Sequence, residues 1–306
     1  MDEFALIQHY FRRPADAVAP GVVLGPGDDG ALLLPPAGQQ LVMTLDTSLA
    51  GVHFPHDLPA ADIGYRCLAV NLSDLAAMGA HPLWFLLSIT LPEVEESWLA
   101  AFAAGLFELA DRAGIALVGG DVTRGPLSVA IQATGTVAPG RALRRDGGQA
   151  GHRLVVSGTP GLGGLGLRHW QAGRRDSLSV RQLARPAFAL ELGPALAGRA
   201  SAAIDLSDGL LQDLGHILEA SGGLGADIDL AALPLTPELA ALDDEDRYTL
   251  QLTGGDDYGL LFTLPDGQPL PTGTRLIGRL TPPGPVRLRH PTGHDWPLPT
   301  GGWRHF

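Results

Sequence analysis

Nine aspartates stand in short clusters with glycine, serine or threonine: Asp28, Asp29, Asp46, Asp74, Asp121, Asp205, Asp208, Asp256 and Asp257. An aspartate in a turn bonds nearby backbone N–H groups, which accounts for any one of them taken singly. Six clusters with the same grammar point instead to a shared task. Carboxylates on rigid supports, with glycine allowing close approach of a ligand, suit Mg²⁺, which takes oxygen ligands, waters and substrate phosphates.

The basic residues narrow that chemistry. All 21 are arginine, and lysine is absent. A Walker A lysine, a Schiff-base lysine and the lysine of a protein-kinase site are therefore excluded. Nucleotide chemistry here must use metal ions, arginine and backbone N–H groups. No Ser/His/Asp or Cys/His nucleophile arrangement stands out, and zinc-type His spacing is missing.

Weaker signals each have a plain structural alternative. The stretch 157–167, SGTPGLGGLGL, follows an apolar run and could open a helix as a phosphate cradle does. It lacks a following lysine and serves equally as a tightly packed turn. Arg141, Arg144 and Arg145 could clamp phosphates with forked hydrogen bonds or form only a solvated loop. His53 and Trp303, taken alone, read as structural residues.

The elements that must position these groups come next. Residues 3–13 read as a short helix with Phe4, Ile7 and Phe11 on one face, and residues 95–113 as an amphipathic helix striped by Trp98, Phe102, Leu106 and Leu109. The runs 22–34, 41–51, 67–80 and 115–125 read as buried strands ending near an aspartate; 82–92 and 126–137 read as strands without one. The Gly- and Arg-rich stretch 138–152 reads as a connection, giving domains 1–138 and 139–306. In the second, RLVVSG reads as a strand and 202–222 as a strand, an aspartate loop and a helix with Ser207 as N-cap. Residues 249–264 read as a β-hairpin around GGDD. Leu-Ser-Asp and Gly-Gly-Asp each occur twice, with 47 residues from Asp74 to Asp121 in one half and 48 from Asp208 to Asp256 in the other, a faint echo of two related halves.

Bulk properties set outer limits. The 306 residues, 45% hydrophobic and 18% charged, suffice for two buried cores. A net charge of −12 argues against nucleic-acid or anionic-membrane partners, which require a basic surface. The lone Cys67 excludes an internal disulfide framework. The acidic N-terminus does not resemble a signal peptide, and no apolar run reaches membrane-spanning length, so the expected compartment is the cytoplasm.

Seven segments in order carry a family resemblance: GDDGALL (27–33), DTSLAGVHF (46–54), YRCLAVNLSDLAAMGAHP (65–82), GGDVTRGPLS (119–128), GRALRRDGGQAG (140–151), AIDLSDGLLQDLGHI (203–217) and LTGGDDYGLLF (252–262). Together they resemble the thiamine-monophosphate kinases. The resemblance runs from the first helix to the C-terminal GGWRHF. It implies an α/β (α+β) two-domain fold of the aminoimidazole ribonucleotide synthetase-like superfamily. The N-terminal domain would bind ATP and Mg²⁺ and give its sheet to a barrel across a homodimer, and a C-terminal α/β domain would follow, with ATP in the cleft between them. It further implies in-line phosphoryl transfer from ATP to thiamine monophosphate, assisted by several Mg²⁺ ions.

By the same resemblance, metal ligands fall on Asp29, Thr44, Asp46, Asp74, Asp121, Asp205 and Asp208. Nucleotide contacts fall on Gly120, Asp121, Arg145 and Ser207, and substrate contacts on His53, Asp256 and Trp303. Asp205, Asp208 and Arg145 are the expected catalytic set. Two positions depart from the family turn Gly-Gly-Glu-Asp-Tyr-Glu: Asp256 is one methylene shorter, and Gly259 has no carboxylate. Alternatives at this level are another ATP-dependent synthetase of the superfamily and a non-catalytic nucleotide-binding module.

Overall fold

A computed structural model of the chain describes residues 3–12, 19–299 and 301. The chain divides into two compact units, residues 1–75 with 80–140, and residues 76–79 with 141–306.

The first unit opens with α1 (Glu3–Leu6), which widens into a π-type turn over Ile7–Phe11. A small ribbon, β1 (Val22–Leu24) with β2 (Leu32–Leu33), follows. Then come β3 (Gln40–Leu49), α2 (Ala60–Ala77), β4 (His81–Leu91), α3 (Glu96–Ala113), β5 (Ala116–Arg124) and β6 (Ser128–Val137). The sheet order is β3-β6-β4-β5. Its buried face carries Phe85, Leu87, Ile89, Val129, Ile131 and Ala133, and the helices bury Leu68, Leu72, Leu75, Phe102 and Leu106. The two helices meet backbone to backbone. A Cβ on Gly64 would lie 2.2 Å from the Phe102 carbonyl, and one on Gly105 1.8 Å from that of Ala61.

Alternation along β3 sends Val42, Thr44, Asp46 and Ser48 to one face and Leu41, Met43, Leu45 and Leu49 to the other. The second set is left in solvent, with Met43 64% and Leu45 65% exposed.

The second unit contains β7 (Arg153–Ser157), α4 (Leu162–Gln171), α5 (Leu178–Ala184), α6 (Leu192–Leu196), β8 (Ala202–Asp205), α7 (Leu210–Ala220) and β9 (Leu224–Asp229). It continues with α8 (Pro237–Ala240), α9 (Asp244–Thr253), β10 (Leu260–Leu264), β11 (Thr274–Pro283), β12 (Val286–Arg289) and β13 (Asp295–Trp296). Its seven-stranded sheet runs β13-β12-β9-β11-β7-β10-β8. Both faces of its centre are covered. Val156, Ile204 and Leu261 pack with Leu214 and Ile217 of α7, whereas Val155, Ala203 and Phe262 pack with Leu196 of α6. Burial on both sides explains why these strands are continuously apolar rather than alternating.

The expected helix over 95–113 and strands over 82–92 and 126–137 correspond to α3, β4 and β6. Three expectations need correction. The run 67–80 lies mostly in α2: the helix is buried on nearly all sides, so its apolar residues show no amphipathic period. Residues 249–264 are not a hairpin, because α9 occupies the first part. Asp243 caps that helix by accepting the Asp246 N–H, and Asp244, Glu245 and Asp246 favour its positive N-terminal end. The Leu-Ser-Asp and Gly-Gly-Asp pairs occupy helix versus loop and strand versus turn, so they do not mark a repeated element.

Candidate active site

In the first unit, β3 and α2 bring three predicted ligands together. Cys67, Asn71 and Asp74 share one face of α2 at helical spacing. Thr44 donates its hydroxyl to Asp74 Oδ2, and Asp46 shares a side-chain hydrogen bond with Asp74. Burial first, then the charge of Asp74, push the Asp46 carboxyl from 3.8 up to about 7. One turn from Asp74, Asn71 donates to the Cys67 carbonyl while its buried Oδ1 has no partner. Two crowded carboxylates and a hydroxyl form a hard oxygen donor set that fits Mg²⁺. Asp46 lies within β3 and Asp74 in the last turn of α2, so neither occupies the strand end that the sequence suggested.

A cavity of about 990 Å³ opens in the same unit and gathers Asp28, Asp29, Gly120 and Asp121 with Leu41, Met43, Trp84, Phe85 and Leu86. Gly120 is required where it stands, since a Cβ would lie 1.8 Å from the Leu87 carbonyl. Asp46 and Asp121 are on opposite edge strands of the four-stranded sheet. Three strand spacings separate those edges, ~14 Å. Among the described residues no three His, Cys, Asp or Glu side chains are gathered into a preformed metal cage. His53, half-buried after β3, accepts the Leu49 N–H on Nδ1, so a neutral ring carries its proton on Nε2.

In the second unit, β8 ends in the buried Asp205, and the loop 206–209 carries Ser207 and Asp208. The N-cap of α7 is Gly209, not Ser207, and no side chain caps from that position. Asp213 does the work from within the helix. Its Oδ2 accepts the N–H groups of Ser207, Asp208 and Gly209 at 3.1, 3.3 and 3.2 Å. Burial and the Asp208 charge push the Asp213 carboxyl up to about 7, against the pull of those donors. Gln212 holds Asp208 Oδ2 at 2.9 Å.

Asp256 sits in the turn 254–259. Its N–H donates to the Ser207 carbonyl at 2.9 Å, and the Tyr258 N–H to that of Leu206 at 2.7 Å. The turn is therefore sewn to the Asp205–Asp208 loop. Its other side meets the glycine-rich stretch, where Asp257 accepts the N–H groups of Gly161 and Gly163. Those donors are consumed internally, so the stretch is a packed loop at the start of α4 rather than an open phosphate cradle.

Arg145 is exposed in the connection and makes no ion pair with another described residue, whereas Arg144 forks onto Asp146 at 2.7 and 2.6 Å. Trp303 lies outside the described residues. Sequence reasoning passed over Asn71, Asp213 and Tyr258 as site residues and gave Asp257 no role of its own. Only the long-range pairing of Asp257 with Gly161 and Gly163 distinguishes it from its neighbour Asp256.

Comparison with known proteins supplies an independent line. Residues 27–137 match the model of the AIR synthase related protein, N-terminal domain, and residues 149–266 that of the C-terminal domain. The thiamine-monophosphate kinase of Escherichia coli (strain K12) is 47% identical over 272 residues, covering 86% of this chain and 83% of that protein. The crystal structure of thiamine-monophosphate kinase from Stenotrophomonas maltophilia K279a aligns with TM-score 0.83 at 45% identity, over 88% of this chain and 91% of that one. AaThiL complexed with AMPPCP and TMP aligns with TM-score 0.80 at 28% identity, over 89% of each chain.

Proposed function

The chain belongs to the AIR synthase-related family and within it to the thiamine-monophosphate kinases, and from that premise we propose how its residues divide the work of phosphoryl transfer. The reaction is ATP-dependent phosphorylation of thiamine monophosphate to thiamine diphosphate.

Bringing two phosphate groups together concentrates negative charge, so catalysis is chiefly positioning and charge neutralisation. Asp29, Thr44, Asp46, Asp74 and Asp121 of the first unit and Asp205 and Asp208 of the second would hold Mg²⁺. Bound Mg²⁺ supplies the positive charge that offsets the phosphate oxygens of both reactants. The observation that carries this assignment is the Asp46–Asp74 pair, two carboxyls joined by a side-chain hydrogen bond with the Thr44 hydroxyl on Asp74, a crowding that a cation would relieve.

Gly120 and Asp121 serve the nucleotide, with Ser207 as a further nucleotide contact. Exposed Arg145 reaches an ATP phosphate with its fork. The acceptor phosphate has a second pKa of about 6 and is largely ionised near neutral pH, so no strong general base is needed. His53, Asp256 and Trp303 contact thiamine monophosphate. Asp256 answers the permanent positive charge of the thiazolium ring, and Trp303 offers it an aromatic face.

The exposed apolar row Leu41, Met43, Leu45 and Leu49, along an edge strand, is a surface that a second copy of the chain would cover, and it supports a homodimer. A lone buried cysteine suits the reducing cytoplasm. The deciding experiment is thiamine diphosphate formation from ATP and thiamine monophosphate with and without a chelator. Product formed at full rate in excess chelator would overturn the Mg²⁺ assignment.

A further inference from the structure

We propose that Asp257 is a positioning residue for thiamine monophosphate, its buried carboxylate clamping the glycine-rich segment 161–163 to the turn that aims Asp256. The inference rests on Asp256 as a substrate contact and assigns what fixes that contact in place.

Asp257 is 5% exposed and comes from a turn 94–96 residues away in sequence from its partners. Its Oδ2 accepts the Gly161 N–H at 2.6 Å and its Oδ1 the Gly163 N–H at 2.9 Å. Those groups begin α4, where a helix end favours negative charge. The chain thus supplies its own hydrogen-bond acceptors to the N–H groups of the glycine-rich loop.

Backbone contact reinforces the clamp. A Cβ on Gly163 would lie 2.3 Å from the Asp256 carbonyl oxygen, and one on Gly161 2.7 Å from the Gln251 nitrogen. From a third direction, Gln182 Nε2 donates to the Asp257 carbonyl at 2.8 Å. Either side of Asp257, Asp256 and Tyr258 have φ of 67° and 54°, the two positive values among the described non-glycine residues. Such strain persists only where surrounding contacts over-determine the conformation. The clamp is one of those contacts, and the Asp256 side chain is what it orients.

The neighbouring loop 206–209 has a separate anchor in Asp213. Loosening the Asp257 clamp should therefore fall on thiamine monophosphate more than on ATP. Asp257→Asn places an NH₂ donor against at least one N–H donor without changing side-chain size. We expect KM for thiamine monophosphate to rise about tenfold, as when a buried donor loses its hydrogen-bond partner, with KM for ATP within about twofold. Amide exchange of residues 161–163 in the full chain should accelerate in the same variant. Gly163→Ala pushes on the Asp256 carbonyl from the other side and should reproduce the selective KM effect, which keeps the test decisive if Asp257→Asn does not fold. A wild-type KM for thiamine monophosphate in the folded variants overturns the proposal. Asp256→Asn separates the premise: an unchanged KM there overturns the role of Asp256 itself, whatever the exchange data show for Asp257.

Discussion

Tyr258 donates its hydroxyl to Asp256 Oδ1 at 2.8 Å, across a single intervening residue whose own carboxylate is buried on the opposite side of the turn. The short Asp256 side chain is thus tethered at its tip as well as at its backbone. Tyr258→Phe removes the tether and keeps the ring. KM for thiamine monophosphate should rise about tenfold with little change in KM for ATP. Steady-state kinetics with each substrate varied in turn checks this, and equal effects on both would contradict a substrate-specific tether.

Asp74 receives the Thr44 hydroxyl and shares a hydrogen bond with Asp46, so it is the centre of the first unit's carboxylate set. Asp74→Asn should reduce kcat about 100-fold or more while leaving the melting temperature of the metal-free protein unchanged or raised. The second half follows from relief of like-charge crowding. A folded variant with near-wild-type kcat at limiting Mg²⁺ would remove Asp74 from the site.

Three buried carboxyls have raised pKa values: Asp46 and Asp213 about 7, and Asp257 about 8, against an ordinary 3.8. Each binds its proton more tightly folded than unfolded. Its stabilising contribution is complete below about pH 4 and is lost as pH rises through its folded value. The metal-free protein should therefore melt lower at pH 8.5 than at pH 5. Added Mg²⁺ and ATP should narrow that gap through Asp46, and Asp46→Asn should shrink it without ligand. A melting temperature that climbs between those pH values would reverse the sign.

Met43 and Leu45 project from the open face of β3, 64% and 65% exposed, on a strand with one unpaired edge. Met43→Asp combined with Leu45→Asp should convert a dimer to a monomer, read by sedimentation velocity, because two charges replace apolar area at the centre of the row. A wild-type sedimentation profile would overturn the proposal that a second copy covers this face.

How much of this was legible in the sequence varied with the range of the interaction. Strands β4 and β6 and helix α3 announced themselves through their own periodicity. The aspartate clusters are a local pattern of Asp beside Gly, Ser or Thr, but that pattern put Asp46 and Asp74 at strand ends, where neither lies. Helix α2 was misread because burial on nearly all sides erased its period, and α9 because Leu250 and Leu252 alternate like a strand in isolation. The roles of Asp213 and Asp257 were harder to see. Asp213 reaches back only four to six residues, but nothing in helical spacing says its carboxylate faces the loop. Asp257 finds its donors 94–96 residues upstream, beyond the reach of any local pattern.

Gly259 stands where the backbone leaves no room for a side chain. A Cβ there would lie 2.3 Å from the Ser157 carbonyl, because β10 begins against the end of β7. The Leu260 N–H and the Ser157 hydroxyl lock that approach at 2.8 Å, and the Gly259 carbonyl accepts the Leu206 N–H at 2.8 Å. Its φ is not in the left-handed region, so the cost of a side chain is collision alone. Gly259→Glu should destabilise the protein by about 1–3 kcal/mol, as overpacking does. For a unit of this size, each kcal/mol lowers the melting temperature by about 2–4 °C. The added carboxylate should bring no gain in kcat/KM for thiamine monophosphate, because the backbone must shift to admit it. A variant that melts at the wild-type temperature would show that the strand pair opens without cost and that Gly259 is a dispensable difference.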